Sequence, residues 1–418
     1  MNFDHSPKVE ELRRRVTDFM EQHIVPRLRQ HHDEIHVGTF PVSFMEDLKA
    51  LAKAEGLWNL FLPHLQDGET GTRLTNLEYA PLAEIMGRVL WSSEVFNCSA
   101  PDTGNMEILH MFGTTEQKAQ WLAPLLEGKI RSAFAMTEPD VASSDATNIQ
   151  TLITPDGDDY VINGRKWFIS NAAHPHCKIM ILMGKTDPDN ADRHRQQSMI
   201  LVPIDRPGVT VERNISVMNH HSPEGHCEIT FKDVRVPKTS LLGGEGDGFM
   251  MAQARLGPGR IHHCMRSIGQ SELALDLMVE RAQERKSFGK YLHQHGAVGE
   301  WIARSRMEID QARLLVLKCA DMIDKVGAKG ARKEISMIKA IVPHMQTTIA
   351  DRAMQVFGAM GISPDTPLAD IWTWGRALRY ADGPDEVHLR AIARLEIKQA
   401  QDRPGFTLPY LTAPQRPL

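Results

Sequence analysis

Between residues 131 and 242 the chain changes its hydrophobic period. Short apolar or alternating runs, each closed by turn residues, replace the helical spacing found on either side. A two-residue period cannot share a helix face, so the chain must fold as a helical unit, a β unit and a second helical unit. Within the β stretch, Asn163-Gly164 stands between two strand-like runs in Tyr160–Ser170, the strongest short signal for a hairpin. Ile179–Met183, Met199–Ile204, Val209–Val211 and Glu228–Val236 are further runs. Thr186-Asp187-Pro188-Asp189-Asn190, Arg206-Pro207-Gly208 and Ser222-Pro223-Glu224-Gly225 break them apart. The expectation is a compact antiparallel, barrel-like β domain over 131–242.

The flanking units read as helix, giving an α+β class that is mostly α. Over residues 1–130, Ser6-Pro7 supplies a cap and a first-turn proline, and Val9, Leu12, Val16 and Phe19 follow at helical spacing. Thr114 and Gln117 frame a capping box before Trp121, Leu122 and Leu125. After a flexible hinge at Gly243–Gly248, helical runs cover 249–285 (with an interruption at Pro258), 298–325, 333–357 and 385–401. They predict a four-helix bundle over 243–402. The tail, 403–418, carries four prolines and reads as extended.

Composition excludes several classes. The net charge of −5 leaves no basic face for nucleic acid. Five cysteines, none in a Cys-x-x-Cys pair, argue against a disulfide framework and for a reducing compartment. With no apolar signal core and no membrane-spanning run, a cytoplasmic location is expected. No Gly-x-Gly-x-x-Gly follows a strand, and no metal-ligand spacing is present. The His220-His221 and His262-His263 doublets read as satisfied or exposed pairs.

Chemistry concentrates in five segments. Phe134-Ala135-Met136-Thr137-Glu138-Pro139-Asp140-Val141-Ala142-Ser143-Ser144-Asp145 is a hydroxyl-rich turn, of the kind that holds a flat, polar-edged cofactor. Trp167-Phe168-Ile169-Ser170-Asn171 lies on a strand, with Trp167 and Phe168 expected on opposite sides. Arg285-Lys286-Ser287-Phe288-Gly289 reads as a basic helix end, and Gln355-Val356-Phe357-Gly358 as a glycine-capped one. Tyr380-Ala381-Asp382-Gly383-Pro384-Asp385-Glu386-Val387-His388 reads as a turn opening a helix.

Together these segments resemble the acyl-CoA dehydrogenase family, over about residues 10 to 400. The first resembles its Thr-Glu-Pro…Ser-Asp signature, the third its Arg-Lys-x-Phe-Gly, the fourth its Gln-x-x-Gly-Gly-x-Gly, and the second its Trp-Ile-Thr-Asn with Phe168 in the flavin-covering place. The resemblance implies FAD, held by Phe134, Met136, Thr137, Ser144, Phe168, Ser170, Pro384 and Glu386. It also implies that Ser287 and Phe288 contact the cofactor, with Phe288 near the flavin, and that Arg285, Gln355 and Gly358 reach the cofactor of an adjoining subunit, hence a homodimer or homotetramer. Ser144 and Gly383 would meet the acyl-CoA.

The fifth segment is similar to the family's Tyr-Glu-Gly-Thr. The catalytic glutamate is matched by Asp382, one methylene shorter and one residue further from the tyrosine, and Pro384 replaces the threonine. The alternative position on the helix after the hinge, Gly257-Pro258-Gly259-Arg260, has no carboxylate. Asp382 is therefore the expected base, its pKa raised by burial against the acyl chain, with Arg260 steadying its loop. The Ala-Asp-Gly-Pro-Asp-Glu-Val-His pattern resembles the subgroup that includes the dehydrogenase domains of mammalian kinase–dehydrogenase fusions. The expected reaction is α,β-dehydrogenation of an acyl-CoA, with hydride passing to flavin N5 and electrons onward to electron-transferring flavoprotein. An acyl-CoA oxidase or flavin monooxygenase of the same fold is the near alternative, and a non-enzymatic helical binding protein the distant one.

Overall fold

The computed structural model describes residues 4–411. The N-terminal unit comprises α1 (Pro7–Phe19), α2 (Leu28–His36), α3 (Met45–Ala54), α4 (Asn76–Gly87), α5 (Ser92–Val95), α6 (Asp102–Phe112), α7 (Thr115–Gln117) and α8 (Ala123–Leu126). Ser6 caps α1 by accepting from the Val9 N–H, and the four residues read at helical spacing are buried. Thr114 and Gln117 form the expected capping box.

Strands β1 (Arg131–Ala135), β2 (Leu152–Asp156), β3 (Asp159–Ser170), β4 (Cys177–Lys185), β5 (Gln197–Pro203), β6 (Val209–Asn214), β7 (His226–Pro237) and β8 (Leu241–Leu242) form one sheet. Its order is β6-β7-β3-β2-β4-β5-β8, with β1 added beside β4. Three expectations are corrected here. The sheet is open, with β6 and β8 at its ends, so no barrel closes. It is mixed: β1 pairs parallel to β4, because the chain spends the β2–β3 hairpin before returning beside β1. Asn163-Gly164 is not a hairpin turn. β3 runs straight through it with a register shift, and the hairpin turn lies at Gly157-Asp158, where Gly157 has φ +60°. Asn163 instead pairs with Asp233 on β7.

The C-terminal unit contains α9 (Gly248–Glu284), a ribbon of β9 (Lys286–Ser287) and β10 (Lys290–Tyr291), then α10 (Gly296–Gly330), α11 (Arg332–Phe357), α12 (Leu368–Leu378) and α13 (Asp385–Gln401). α12 adds a fifth helix to the four read from sequence. α9 does not break at Pro258; the bond lost there is outweighed by packing against α4, α10 and α11. The glycine run before α9 is pinned rather than loose: the Gly246 N–H donates to Ser198 Oγ and Tyr160 bonds Glu245. Beyond α13 the chain turns rather than extends, closing on a short 3₁₀ turn at Leu408–Tyr410; residues 412–418 of the expected tail lie outside the described residues.

β4 joins the two cores. Ile179, Ile181 and Met183 pack into the helical core, whereas Met180 and Leu182 pack into the core on the sheet's other face. This is why β4 reads as a continuous apolar run.

A buried ion pair fixes the turn after β1 to this sheet. Lys166, on β3, donates to Glu138 Oε1 at 2.8 Å and to the Met136 and Met183 carbonyls. Glu138 also accepts from the Gln150 and Thr151 N–H groups and the Thr151 hydroxyl. Burial pushes the Lys166 amine down to about 8 against the pull of Glu138. Glu138→Ala strands a buried cation and three donors, and is expected to destabilise the protein by ~3–5 kcal/mol in urea unfolding. A loss under ~1 kcal/mol would show that the pair does not hold this turn.

Candidate active site

A cleft of about 3620 Å³ opens between the N-terminal helices, the sheet and the C-terminal bundle. Phe134, Met136, Thr137, Ser144, Phe168, Ser170, Arg260, Asp382, Gly383 and Pro384 all line it. The sequence-derived residues thus divide into two sets, and these ten form the first.

One wall is the turn after β1, facing a bulge in β3. The Trp167 N–H donates to the Thr137 carbonyl at 3.0 Å and the Thr137 hydroxyl donates to the Trp167 carbonyl at 2.6 Å. The strand register shifts between Lys166 and Ile169, and Phe168 takes φ +51°. The expected alternation of Trp167 and Phe168 therefore fails. Lys166 points into the core, while both aromatic rings line the cleft, their centroids 5.0 Å apart. Phe168 is about half exposed. The Ser170 hydroxyl lies 2.9 Å from His226 Nδ1.

The opposite wall is α9 and the loop between α12 and α13. Asp382 takes φ +57° and Gly383 φ +106°, a left-handed pair that aspartate tolerates better than most residues and glycine tolerates freely. Arg260 Nε donates to the Asp382 carbonyl at 2.9 Å, so the residue expected to steady this loop does contact it. Among the described residues, neither the Asp382 carboxylate nor its N–H has a hydrogen-bond partner. The closest ionisable contact of the carboxylate is His263 Nε2, 3.6 Å from Oδ2.

Burial pushes the Asp382 carboxyl up. His263, Arg255, Arg260 and Lys339 around it outweigh burial and hold it below the ordinary aspartate range. The expected rise is thus reversed in the free protein. His263 is itself held neutral down to about pH 3 by burial and by Arg266, so the standing positive charge is that of the two arginines and the lysine.

Sequence reading missed four of these partners. Arg255 stacks its guanidinium 3.9 Å from the Phe134 ring centroid and donates to Asn105. Lys339, on α11, is fully buried and donates to the Leu378 carbonyl. His263 and His388 complete the set. His388 closes the Ala381–His388 segment already singled out, and for the other three the available signal was the spacing of Arg260, His263 and Arg266 along one helix. A second buried acid beside Arg255, Glu107, has both oxygens unpaired, and burial pushes its carboxyl well above the ordinary range. The two acids are therefore shifted in opposite directions, Glu107 up and Asp382 down.

The remaining six residues do not join the cleft. Glu386 is exposed on α13, outside the lining. Ser287 and Phe288 sit on the β9–β10 ribbon, where the Phe288 ring is 97% exposed, with Arg285 just before it. Gln355 and Gly358 are exposed at the end of α11. Arg281 lies 5.4 Å from the Phe357 ring, so the ends of α9 and α11 come together on the outer surface. Among the described residues, no group of His, Cys, Asp or Glu side chains is placed to hold a metal ion, and no helix is long and apolar enough to cross a membrane.

Three family profiles together cover most of the chain: acyl-CoA dehydrogenase N-terminal domain over 6–129, middle domain over 133–234 and C-terminal domain over 246–396. The chain is 56% identical over 408 residues to "Probable acyl-CoA dehydrogenase FadE2" of Mycobacterium tuberculosis, covering 96% of this chain and 98% of that one. It is 56% identical over 399 residues to acyl-CoA dehydrogenase family member 10 of Mus musculus, covering 94% of this chain but 37% of that longer protein. Human family member 11 is 50% identical, and the chain spans about half its length (52%). Among solved structures, one from Mycobacterium abscessus superposes with a TM-score of 0.91 at 50% identity, covering 95% of this chain and 100% of that one. Butyryl-CoA dehydrogenase of Megasphaera elsdenii superposes at 0.80 and 26% identity, with the same coverage.

The charge balance around Asp382 has a measurable sign. A carboxyl held below its unfolded value stabilises the fold above that value and loses the contribution as pH falls through the folded one. Asp382→Asn is therefore expected to be less stable than the parent at pH 7, with the gap closing below about pH 4, the unfolded aspartate value. Urea midpoints across pH check this; a gap that widens on acidification would reverse the assigned shift.

Proposed function

The chain belongs to the acyl-CoA dehydrogenase family, and from that premise we propose that it is an FAD-dependent dehydrogenase converting an acyl-CoA thioester to its trans-2-enoyl-CoA. One observation carries the reading: Asp382 presents an ionised carboxylate, free of hydrogen bonds, into the cleft, from a loop gripped by Arg260.

The cleft suits a flavin. Thr137, Ser144 and Ser170 offer hydroxyls, Phe134 and Met136 give an apolar floor, and Trp167 with Phe168 presents aromatic surface on the β3 bulge. When bound, the flavin supplies a two-electron acceptor for the β-hydrogen, taken as hydride. The chain's own work is at the α-carbon. Asp382 removes the α-proton, and its N–H is a donor for the thioester oxygen as negative charge develops there. Gly383 leaves space beside that donor. A carboxylate held below its ordinary range is a weak base. The seated acyl chain must therefore shift the balance by excluding water, which strengthens the burial effect against the cations. Glu386 is set aside as a flavin contact in view of its exposure.

Arg285, Ser287, Phe288, Gln355 and Gly358 form the second part of the proposal. Their position on one outer surface supports a role at the cofactor of an adjoining subunit, with Arg285 as a fork on the pyrophosphate. A homodimer or homotetramer follows from that role. We assign the electrons onward to an electron-transferring flavoprotein; fast reoxidation of the reduced enzyme by oxygen would point instead to an oxidase.

Asp382→Asn is expected to keep FAD and to slow anaerobic bleaching by acyl-CoA at least ~10²-fold. Bleaching at near the parent rate would remove Asp382 as the base. Arg285→Gln is expected to purify with less FAD and to regain it only at raised FAD concentration. Parent-level FAD in that variant would place the pyrophosphate elsewhere.

A further inference from the structure

The two members of the His262-His263 doublet face different surroundings, and only one belongs to the protein core. His262 is buried against the Phe61 and Tyr79 rings, at 6.0 and 5.2 Å between centroids. One step along α9 turns the next side chain by about 100°, and His263 lines the cleft.

His263 stands within a ladder along α9. Arg260, His263 and Arg266 follow at a spacing of three, which stacks them on one face. Each rung has a distinct contact. Arg260 Nε holds the Asp382 carbonyl at 2.9 Å. His263 Nε2 lies 3.6 Å from Asp382 Oδ2. Arg266 Nη2 lies 3.1 Å from His263 Nδ1, and the Arg266 guanidinium also donates to the Cys98 carbonyl. A guanidinium can only donate, so Nδ1 must accept. The ring is then the Nε2–H tautomer, with its proton aimed at the Asp382 carboxylate.

We infer that His263 is a positioning residue for the α-proton transfer, its Nε2–H selecting the carboxylate rotamer in which Asp382 Oδ2 faces α9 and Oδ1 faces the substrate. An aspartate needs this more than a longer acid. Its carboxylate has a short stem, and a misplaced rotamer removes the base from reach of the α-carbon. In the free protein the gap of 3.6 Å is slightly beyond hydrogen-bond contact, and catalytic contacts of this kind tighten when substrate fills the site. The other charged and titratable groups facing Asp382 are Arg255 and Arg260 on α9 and Lys339 on α11, with His388 on α13 close to Gly383. The arginines and the lysine supply charge without direction, since none has a hydrogen bond to the carboxylate.

The inference rests on Asp382 being the base, and the experiment separates the two. The readout is wash-in of solvent deuterium at the α-carbon of 3-thia-octanoyl-CoA, followed by mass spectrometry across pH on the FAD-loaded full chain. It reports proton removal without hydride loss. His263→Phe is expected to retain FAD, to lower the plateau exchange rate at least about tenfold and to move the pH midpoint upward, since a donor to the carboxylate is lost. His263→Gln, which carries an amide N–H near the same place, is expected to come within about threefold of the parent.

A plateau rate in His263→Phe equal to or above the parent would overturn the inference, wherever the midpoint falls. So would a Gln variant as slow as Phe, since ring volume rather than the donor would then matter. Asp382→Asn is the control. Exchange abolished there with His263→Phe unaffected sinks only the positioning role, whereas full exchange in Asp382→Asn sinks the base assignment itself.

Discussion

The contact on which the candidate site depends is the single hydrogen bond from Arg260 to the Asp382 carbonyl. It ties a long helix that crosses the molecule to a short loop whose backbone would not otherwise keep its shape. A non-glycine residue at positive φ, as Asp382 is, costs free energy and persists only where surrounding structure fixes it. Here the fixing groups come from three helices: Arg260 on α9, His388 on α13 packed beside Gly383, and Lys339 on α11 holding the carbonyl at the end of α12. The geometry of the candidate site and the packing of the bundle are thus the same set of contacts. A mutation that loosened the bundle would blur the position of Asp382 before it unfolded the protein.

The second anchor works by the same logic on the other wall. The buried Glu138–Lys166 pair and the reciprocal Thr137–Trp167 bonds join the turn after β1 to a bulge in β3. A regular strand would send Trp167 and Phe168 to opposite faces. The bulge turns both toward the cleft while leaving Lys166 in the core. Aromatic surface and turn hydroxyls therefore meet at one place only because a strand gives up its alternation there. The bulge is held from one side by a buried ion pair whose members are also hydrogen-bonded to neighbouring backbone, so removing either partner would leave an uncompensated charge beside it.

Much of this was legible in the sequence, for reasons that also explain the failures. The caps at Ser6 and Thr114, the buried stripe of α1 and the boundaries of α13 depend on neighbours a few residues away, so local spacing reveals them. The motif-bearing residues of the cleft were found through family resemblance, since their roles depend on being brought together by the fold. What failed was non-local. Asn163-Gly164 has the chemistry of a turn, yet a strand passes through it because Asn163 finds a partner in Asp233, seventy residues on. The parallel β1–β4 pairing leaves no local mark. Nor does the sign of the Asp382 shift, which is set by cations on α9 and α11 that approach only in three dimensions. Burial is the largest single influence on this carboxyl, and only the neighbouring groups acting together exceed it.

The departures at the base form one compensated change rather than three independent ones. Relative to the pattern it resembles, the segment has a shorter acid, one more residue after Tyr380 and a proline after Gly383. Shortening a side chain by a methylene withdraws the carboxylate by a bond length, unless the backbone advances. The extra residue lengthens the loop, and the proline fixes where it must rejoin α13, with Pro384 at the N-cap. The acid ends close to α9: a Cβ at Gly259 would stand 3.7 Å from Asp382 Oδ2, in ordinary contact. One turn further, the same helix offers His263. Loop length, the proline and the approach of His263 together set where this aspartate stands, which is how a short acid on this loop still lines the cleft.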